Sequence, residues 1–291
     1  MIMENKKPRR FAIATHPSQP DIAVNAKDLA ERLLKLGAEQ ASAYTIYQPE
    51  LRKSVRQGEV DVLIALGGDG TMLRAGHLVA PTGIPVLGIN RGRFGFLMEI
   101  NEEDCGERMQ QLLQGDYRLE KRMMLRSVHR RGSEQLGEWQ VLNDVVVCRG
   151  QYVRPIQIKA SLDGYLLASY VADGLIAATA TGSTAYALAV NGPIMPPELR
   201  NILIVPVAPH LSVDRSIILA EGAHVTLKVN TNHEAVLSAD GQPPIILRDG
   251  DEVDVCASDY TINFVRFQDQ GYFYRNLHKY MEQNPITGAM V

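Results

Sequence analysis

Up to about Arg118 the apolar and polar positions alternate between two periods. Phe11–Thr15 (FAIAT) is a short, nearly all-apolar run, as expected of a strand covered on both faces. From Val24 to Leu36 the apolar residues return at helical spacing, and Gly37 follows as a C-cap. Val60–Leu66 (VDVLIAL) predicts a second strand. Thr71–Val79 predicts a helix, with Thr71 as its N-cap and Pro81 beyond its end. Pro85–Asn90 (PVLGIN) predicts a third strand. This strand–helix–strand order specifies an N-terminal α/β domain with a parallel, Rossmann-like sheet and right-handed crossovers.

From Arg118 to Phe267 the texture changes. Strand-like runs cover Leu125–Arg130, Val141–Arg149, Ile156–Leu162, Ile202–Val207, His224–Val229 and Glu252–Ala257. Asp163-Gly164, Asp240-Gly241 and Asp249-Gly250 punctuate them as turns. A β-rich C-terminal domain is expected. Leu277–Met281 reads as part of a closing helix, and Asn284–Val291 as a loose end.

Composition narrows the classes of function. At 291 residues the chain fits two domains better than one. A net charge of −3 provides no global field for nucleic acid or an anionic membrane. The basic cluster Lys6–Arg10 (KKPRR) reads as a solvated tail. With no signal-peptide core and no run of 18 apolar residues, a soluble cytoplasmic protein is expected. Cys105, Cys148 and Cys256 lack metal-ligand spacing and read as small buried apolar residues in a reducing compartment. No zinc-type His spacing and no G-x-S-x-G elbow is present, and His210 reads as structural.

The chemistry concentrates in Ala65–Ala75 (ALGGDGTMLRA), at the carboxyl end of the second strand, where ligands of open α/β sheets bind. Gly67 and Gly68 let backbone approach a ligand, and the helix start behind them favours phosphate. The Walker pattern is excluded because the chain has no Gly-Lys pair, and the Rossmann fingerprint because Leu73 stands where its third glycine belongs. Asp69 either shapes the loop as an Asx-turn or does chemistry. A carboxylate beside a triphosphate is tolerated when it faces a metal ion or an acceptor hydroxyl, and phosphoryl transfer to an alcohol uses such a group. Two further stretches stand out. Asn143-Asp144 opens a strand, either as a plain turn boundary or as an amide and a carboxylate suited to a ribose diol or an adenine edge. Asp173–Tyr186 (DGLIAATATGSTAY) reads as strand, capped turn and helix start, with Tyr186 either packed in the core or facing a ligand.

Gly67–Thr71 resembles the GGDGT signature of NAD kinases, of diacylglycerol and sphingosine kinases and, more loosely, of 6-phosphofructokinases. Asn143-Asp144 resembles the Asn-Glu/Asp pair of NAD kinases, and Asp173–Tyr186 resembles their DGLI…TPTGSTAY segment almost residue for residue. Asn90–Leu97 resembles their G-x-L-G-F-L segment with Phe94 in place of Leu, Tyr117–Arg122 their domain-crossing segment, and Ser238–Gln242 their D-G-Q turn. Ala178, Ala180 and Asn191 depart from the usual Ser, Pro and Gly, and Pro209–Ser212 departs from Pro-His-Ser-Leu.

The resemblance to the bacterial-type NAD kinase family implies transfer of phosphate from ATP, with Mg²⁺, to the 2′-hydroxyl of the adenosine ribose of NAD. It implies residues 1–121 as a phosphate-binding domain, 122–270 as a β-rich NAD-binding domain, residues 271–291 packing back on the first, and a site in the cleft between the two. Asp69 would be the base or orienter, and Gly68, Gly70 and Thr71 would line the phosphate path. Arg74 would either meet donor phosphates or be simply an exposed helix Arg, and Phe96 would stack on adenine. Asn143 and Asp144 would hold the adenosine ribose and base, Thr184, Ala185 and Tyr186 would contact the dinucleotide, and Asp173 would bind near its nicotinamide. Arg154 and Gln242 are further contact candidates. A homo-oligomer, dimer or tetramer, is implied; metal ligands are not readable. The alternatives are another GGDGT kinase with a lipid or sugar-phosphate acceptor, and a non-catalytic dinucleotide-binding sensor.

Overall fold

A computed structural model describes residues 7–18, 20–91, 95–210 and 213–283. The chain forms two compact units, residues 1–121 with 261–291, and residues 122–260.

The first unit is built from β1 (Arg10–Thr15), α1 (Pro20–Lys35), β2 (Gln40–Thr45), α2 (Pro49–Arg56), β3 (Val62–Gly67), α3 (Asp69–Val79), β4 (Val86–Asn90), β5 (Ile100–Asn101) and α4 (Cys105–Gln114). Its sheet runs β2-β1-β3-β4, all parallel, with β5 along the end of β4. Phe11 stands beside Ala41 on one side and Val62 on the other. The apolar run of β3 follows from this central place. All six of its residues are buried, and Ile64 and Leu66 pack in one core with Phe11, Ile13, Leu33, Leu87 and Ile89. Edge strand β2 (QASAYT) has no fully buried residue, so its sequence carries no apolar signal. Helix α2 buries only Leu51 and Val55 and is equally quiet.

Two expectations are corrected in this unit. Helix α3 starts at Asp69 with Gly68 as N-cap, not at Thr71. The Gly68 carbonyl accepts the N–H groups of Thr71 (2.9 Å) and Met72 (3.1 Å), so Thr71 is a buried residue of the first turn. The basic cluster is not a solvated tail where it is described. Arg10 opens β1, and Asp61 accepts the Arg9 N–H (2.9 Å), the Arg10 N–H (3.0 Å) and the Arg10 guanidinium (2.8 Å). Burial pushes the Asp61 carboxyl up, but these donors outweigh it and hold it well below the usual range. Lys6 lies outside the described residues.

The second unit draws on β6 (Arg118–Arg131), β7 (Glu134–Val141), β8 (Asp144–Arg149), β9 (Ile156–Leu162), β10 (Tyr165–Ala178), α5 (Tyr186–Ala189), β11 (Asn201–Pro209), β12 (Ile217–Ala220), β13 (Val225–Asn230), β14 (Ala235–Ala239), β15 (Ile245–Leu247) and β16 (Glu252–Arg266). Its pairings are antiparallel. β10 runs beside β9 along Tyr165–Ala172, then lies between β8 and β11 along Gly174–Ala178. β14 continues from β8, and β13 from β9. Asp163-Gly164, the turn between β9 and β10, has positive φ at both residues (51° and 85°), the geometry that matches strand twist. One core gathers Val145, Val147, Ile158, Tyr170, Leu175, Leu227 and Val253.

Both unit boundaries fall inside strands. The first lies within β6, at Lys121–Arg122. The second lies within β16, at Tyr260–Thr261, not at residue 270, because β16 continues nine residues beyond the apolar run that ended the sequence reading at Ala257. The last helix, α6 (Tyr272–Gln283), starts five residues before Leu277, and Asn284–Val291 lie outside the described residues. Asn191, where related segments carry Gly, has φ +62°, a left-handed conformation that Asn tolerates.

Candidate active site

In the first unit, β3 ends at Gly67 with φ +153°, which favours glycine. Gly68 is extended (φ −121°, ψ −174°), and a Cβ there would meet nothing within 4 Å. Neither its backbone nor a neighbour among the described residues requires glycine at 68, and the space beside it is open. Asp69 follows as the first residue of α3. Its Oδ2 accepts the Phe96 N–H (3.0 Å) and its Oδ1 the Leu97 N–H (3.2 Å). A Cβ at Gly95 would stand 2.1 Å from Asp69 Oδ1, so glycine at 95 is set by the carboxylate. Asp69 is thus a fixed acceptor in the first turn of α3. Arg74 is exposed, and its Nη1 donates back to the Gly70 carbonyl (2.8 Å).

In the second unit the organiser is Asp240, which no motif reading had singled out as a site residue. It sits in the D-G-Q turn with φ +49°. Its carboxylate accepts the N–H groups of Leu142 (2.6 Å), Asn143 (2.7 Å) and Asp144 (3.1 Å), and its own N–H donates to the Asp144 carbonyl (2.9 Å). The Asp-Gly pair was the available signal. From the other side, Thr179 N–H donates to the Asn143 carbonyl (2.9 Å), Thr179 Oγ1 to the Leu142 carbonyl (2.5 Å), and Gly182 N–H to Thr179 Oγ1 (3.0 Å). The Asn143-Asp144 step is therefore held by two motifs 36 and more residues away in sequence.

Asp144 is buried, at 5% exposure. Burial and then the nearby Asp240 charge push its carboxyl up to about 7, against a Tyr186 N–H that favours the ionised form. Between the unfolded value near 4 and about 7, the folded chain holds a proton that the unfolded chain has released. Stability therefore falls as pH rises through that window, and above it the buried charge costs on the order of 4 kcal/mol. Asp144→Asn is expected to melt higher than wild type at pH 8, with the two curves converging near pH 4.5. Scanning fluorimetry across that range checks this; a pH-independent gap would contradict it.

Tyr186 is 42% exposed and is not packed in the core. Burial of part of the ring pushes its phenol up, and Cys148, Asp144 and Asp173 add to the effect, so these groups share one neighbourhood. Asp173, inside β10, pairs with Arg149 Nε at 3.1 Å. Ser183, buried, donates to the Ala180 carbonyl (2.7 Å) and accepts the Met195 N–H (2.9 Å); Thr184 Oγ1 donates to the Thr181 carbonyl (3.0 Å). The expected helix after Ala185 is one turn long.

A family model of the ATP-NAD kinase N-terminal domain matches residues 11–117, and one of the ATP-NAD kinase C-terminal domain matches residues 142–267. The chain belongs to the NAD kinase family. Curated relatives named NAD kinase include one from Heliobacterium modesticaldum, 40% identical over 236 residues (81% of this chain, 82% of that protein). Another, from Dehalococcoides mccartyi, is 35% identical over 277 residues (95% and 97%). The fold is that of yeast NADH kinase, crystallised with NADH (TM-score 0.81, 24% identity, 96% of this chain and 89% of that one). It is also that of an NAD kinase from Archaeoglobus fulgidus, crystallised with ATP (TM-score 0.75, 24% identity, 94% and 99%). Membership makes the chain a phosphotransferase with two domains, α/β and β-rich.

Within this family frame, the structure gathers Gly68, Asp69, Gly70, Thr71, Arg74 and Phe96 in the first unit, and Asn143, Asp144, Asp173, Thr184, Ala185 and Tyr186 in the second. Gln242 is exposed beside the Asp240 turn, where its carbonyl accepts Ser238 Oγ (2.9 Å). Arg154 is exposed on the loop after β8. Gly92, Arg93 and Phe94, and Leu211 and Ser212, lie outside the described residues. His210 is exposed and uses its backbone N–H on the Val171 carbonyl (2.7 Å). Cys105 is buried and its thiol is pushed up by burial to about 11; Cys148 and Cys256 are half-buried rather than buried, and burial pushes them up too, away from nucleophilic thiolates.

Proposed function

We propose that the chain transfers the terminal phosphoryl group of ATP to the 2′-hydroxyl of the adenosine ribose of NAD, giving NADP and ADP. The observation that carries this reading is the Asp69 carboxylate, pinned by two backbone N–H groups beside an open Gly68. Such a group accepts the hydroxyl proton as the new O–P bond forms and the bond to the leaving ADP breaks. Gly68, Gly70 and Thr71 at the start of α3 receive the donor phosphates, and Arg74, once released from the Gly70 carbonyl, adds a guanidinium. Phe96 stacks on adenine. Asn143 and Asp144 hold the adenosine ribose and base, Thr184, Ala185 and Tyr186 contact the dinucleotide, Asp173 lies toward the nicotinamide, and Arg154 and Gln242 add outer contacts.

Mg²⁺ supplies neutralisation of phosphate charge when bound. Among the described residues no group of three or more His, Cys, Asp or Glu side chains is placed to hold a metal ion. An ion that keeps waters and takes its remaining ligands from phosphates needs no such cage, so the residues present fit Mg²⁺ arriving with the nucleotide. The reading also includes a cytoplasmic homo-oligomer. Tyr152, Val153, Tyr165 and Leu166 are exposed apolar side chains available to a contact between copies. Among the described residues no helix is long and apolar enough to cross a membrane.

Purified protein with ATP, Mg²⁺ and NAD is expected to form NADP, detected with an NADP-specific dehydrogenase. Diacylglycerol and fructose 6-phosphate serve as rival acceptors. Absence of NADP across a range of phosphoryl donors, or faster transfer to either rival, would sink the reading.

A further inference from the structure

A buried charge cluster stands behind the Asp69 cradle, within the first unit. Arg266 is fully buried. Its Nη1 donates to Glu99 Oε2 (3.0 Å) and to the Leu97 carbonyl (3.4 Å), and its Nε to Glu120 Oε1 (3.1 Å). Glu99 Oε1 accepts the Phe267 N–H (2.7 Å), and the Glu99 N–H donates to the Gly88 carbonyl in β4 (3.0 Å). The guanidinium lies 5.2 Å from the ring centroids of Phe264 and of Tyr272, the first residue of α6.

These contacts bracket one peptide segment. Phe96 and Leu97 donate their N–H groups to Asp69, while the Leu97 carbonyl and the Glu99 side chain are tied to Arg266. Taking a guanidinium fully out of water is costly unless geometry and partners compensate. Two carboxylates and two aromatic rings supply the compensation here.

We propose that Arg266, with Glu99, is a positioning residue for catalysis: it fixes the Phe96–Leu97 segment so that its N–H groups hold the Asp69 carboxylate at the acceptor hydroxyl. This rests on the kinase reading of Asp69. Arg266 touches no substrate; it acts through Leu97 and then Asp69. Because Tyr272 stacks on the same guanidinium, the docking of α6 reaches the base along the same route.

Arg266→Lys keeps the buried charge but cannot span Leu97, Glu99 and Glu120 with one fork. Its kcat for NADP formation is expected to fall roughly 10- to 100-fold, the scale of an ångström-sized misplacement. The KM values for NAD and ATP should stay within about twofold. In an Asp69→Asn background the same change should alter residual kcat by less than about twofold, since the group it positions is gone. Glu99→Asp, which shortens the tether and keeps its charge, should show the same signature and serves if Arg266→Lys does not fold. His129→Gln, which breaks the buried His129–Asp251 pair (2.9 Å) in the second unit, should lower the melting temperature and leave kcat unchanged. An unchanged kcat in Arg266→Lys or Glu99→Asp, or an equal loss in both backgrounds, overturns the inference while wild-type activity upholds the kinase reading. A wild type that makes no NADP removes both.

Discussion

Replacing Asp69 by asparagine is expected to lower kcat by roughly 10²-fold or more while NAD still binds. The carboxylate is an acceptor-only group that takes the Phe96 and Leu97 N–H groups, one on each oxygen. Asparagine has the same shape, but its amide can satisfy only one of them as an acceptor and turns an N–H toward the other. It also cannot take a proton from a hydroxyl. A hundredfold loss corresponds to about 2.7 kcal/mol of transition-state stabilisation, well within what a positioned base contributes. Apart from the Phe96 ring, the groups assigned to the dinucleotide belong to the second unit, so binding measured by calorimetry should stay close to wild type. Near-normal turnover of the variant would reduce Asp69 to a residue that shapes a turn, and loss of NAD binding with unchanged kcat would move it to substrate recognition.

Central elements were legible in the sequence because burial writes itself into composition. β3 is apolar throughout because it lies between β1 and β4, and Ile156–Leu162 coincides with β9 residue for residue because its faces alternate between core and solvent. Peripheral elements were not. β2 and α2 bury too little to show a period, and β7 carries four exposed residues in eight. The N-terminus of α3 was misread because Thr71 is a good cap in general, whereas here the Gly68 carbonyl closes the first turn.

At the site, the motif residues were legible and their supports were not. GGDGT announces a carboxylate in a phosphate loop, but not that residues 95–97 wrap it. The pair Asn143-Asp144 is visible, while the push of Asp144 toward neutrality comes from burial and from Asp240, almost a hundred residues later. Long-range hydrogen bonds leave only faint local traces: an Asp-Gly turn at 240, a glycine at 95, a glycine at 182. Each of those glycines reads as a flexible point in sequence and as a close contact in space.

Gly182 is where that difference has the largest expected effect on stability. A Cβ built at Gly182 would stand 2.0 Å from the Asn143 carbonyl oxygen, 2.5 Å from its carbon and 2.8 Å from Asn143 Cα. All three atoms are backbone, so no side-chain rotation relieves the clash. Gly182→Ala must move either the 182–184 turn or the start of β8. Either motion strains the Thr179 bonds to Leu142 and Asn143 and the Asp240 clamp on residues 142–144. Overpacking of this kind costs about 1–3 kcal/mol, and each buried bond left unmade adds about 1–3 kcal/mol. A loss of about 3 kcal/mol or more is therefore expected in urea unfolding. The KM for NAD should rise at least about tenfold, because Asn143, Asp144 and Tyr186 lose their common frame. Gly222→Ala is the matched control: a Cβ there meets nothing within 4 Å, and stability and KM should both stay near wild type. Equal behaviour of the two variants would mean that the Asn143 carbonyl yields without cost, and that Gly182 is present for flexibility rather than for fit.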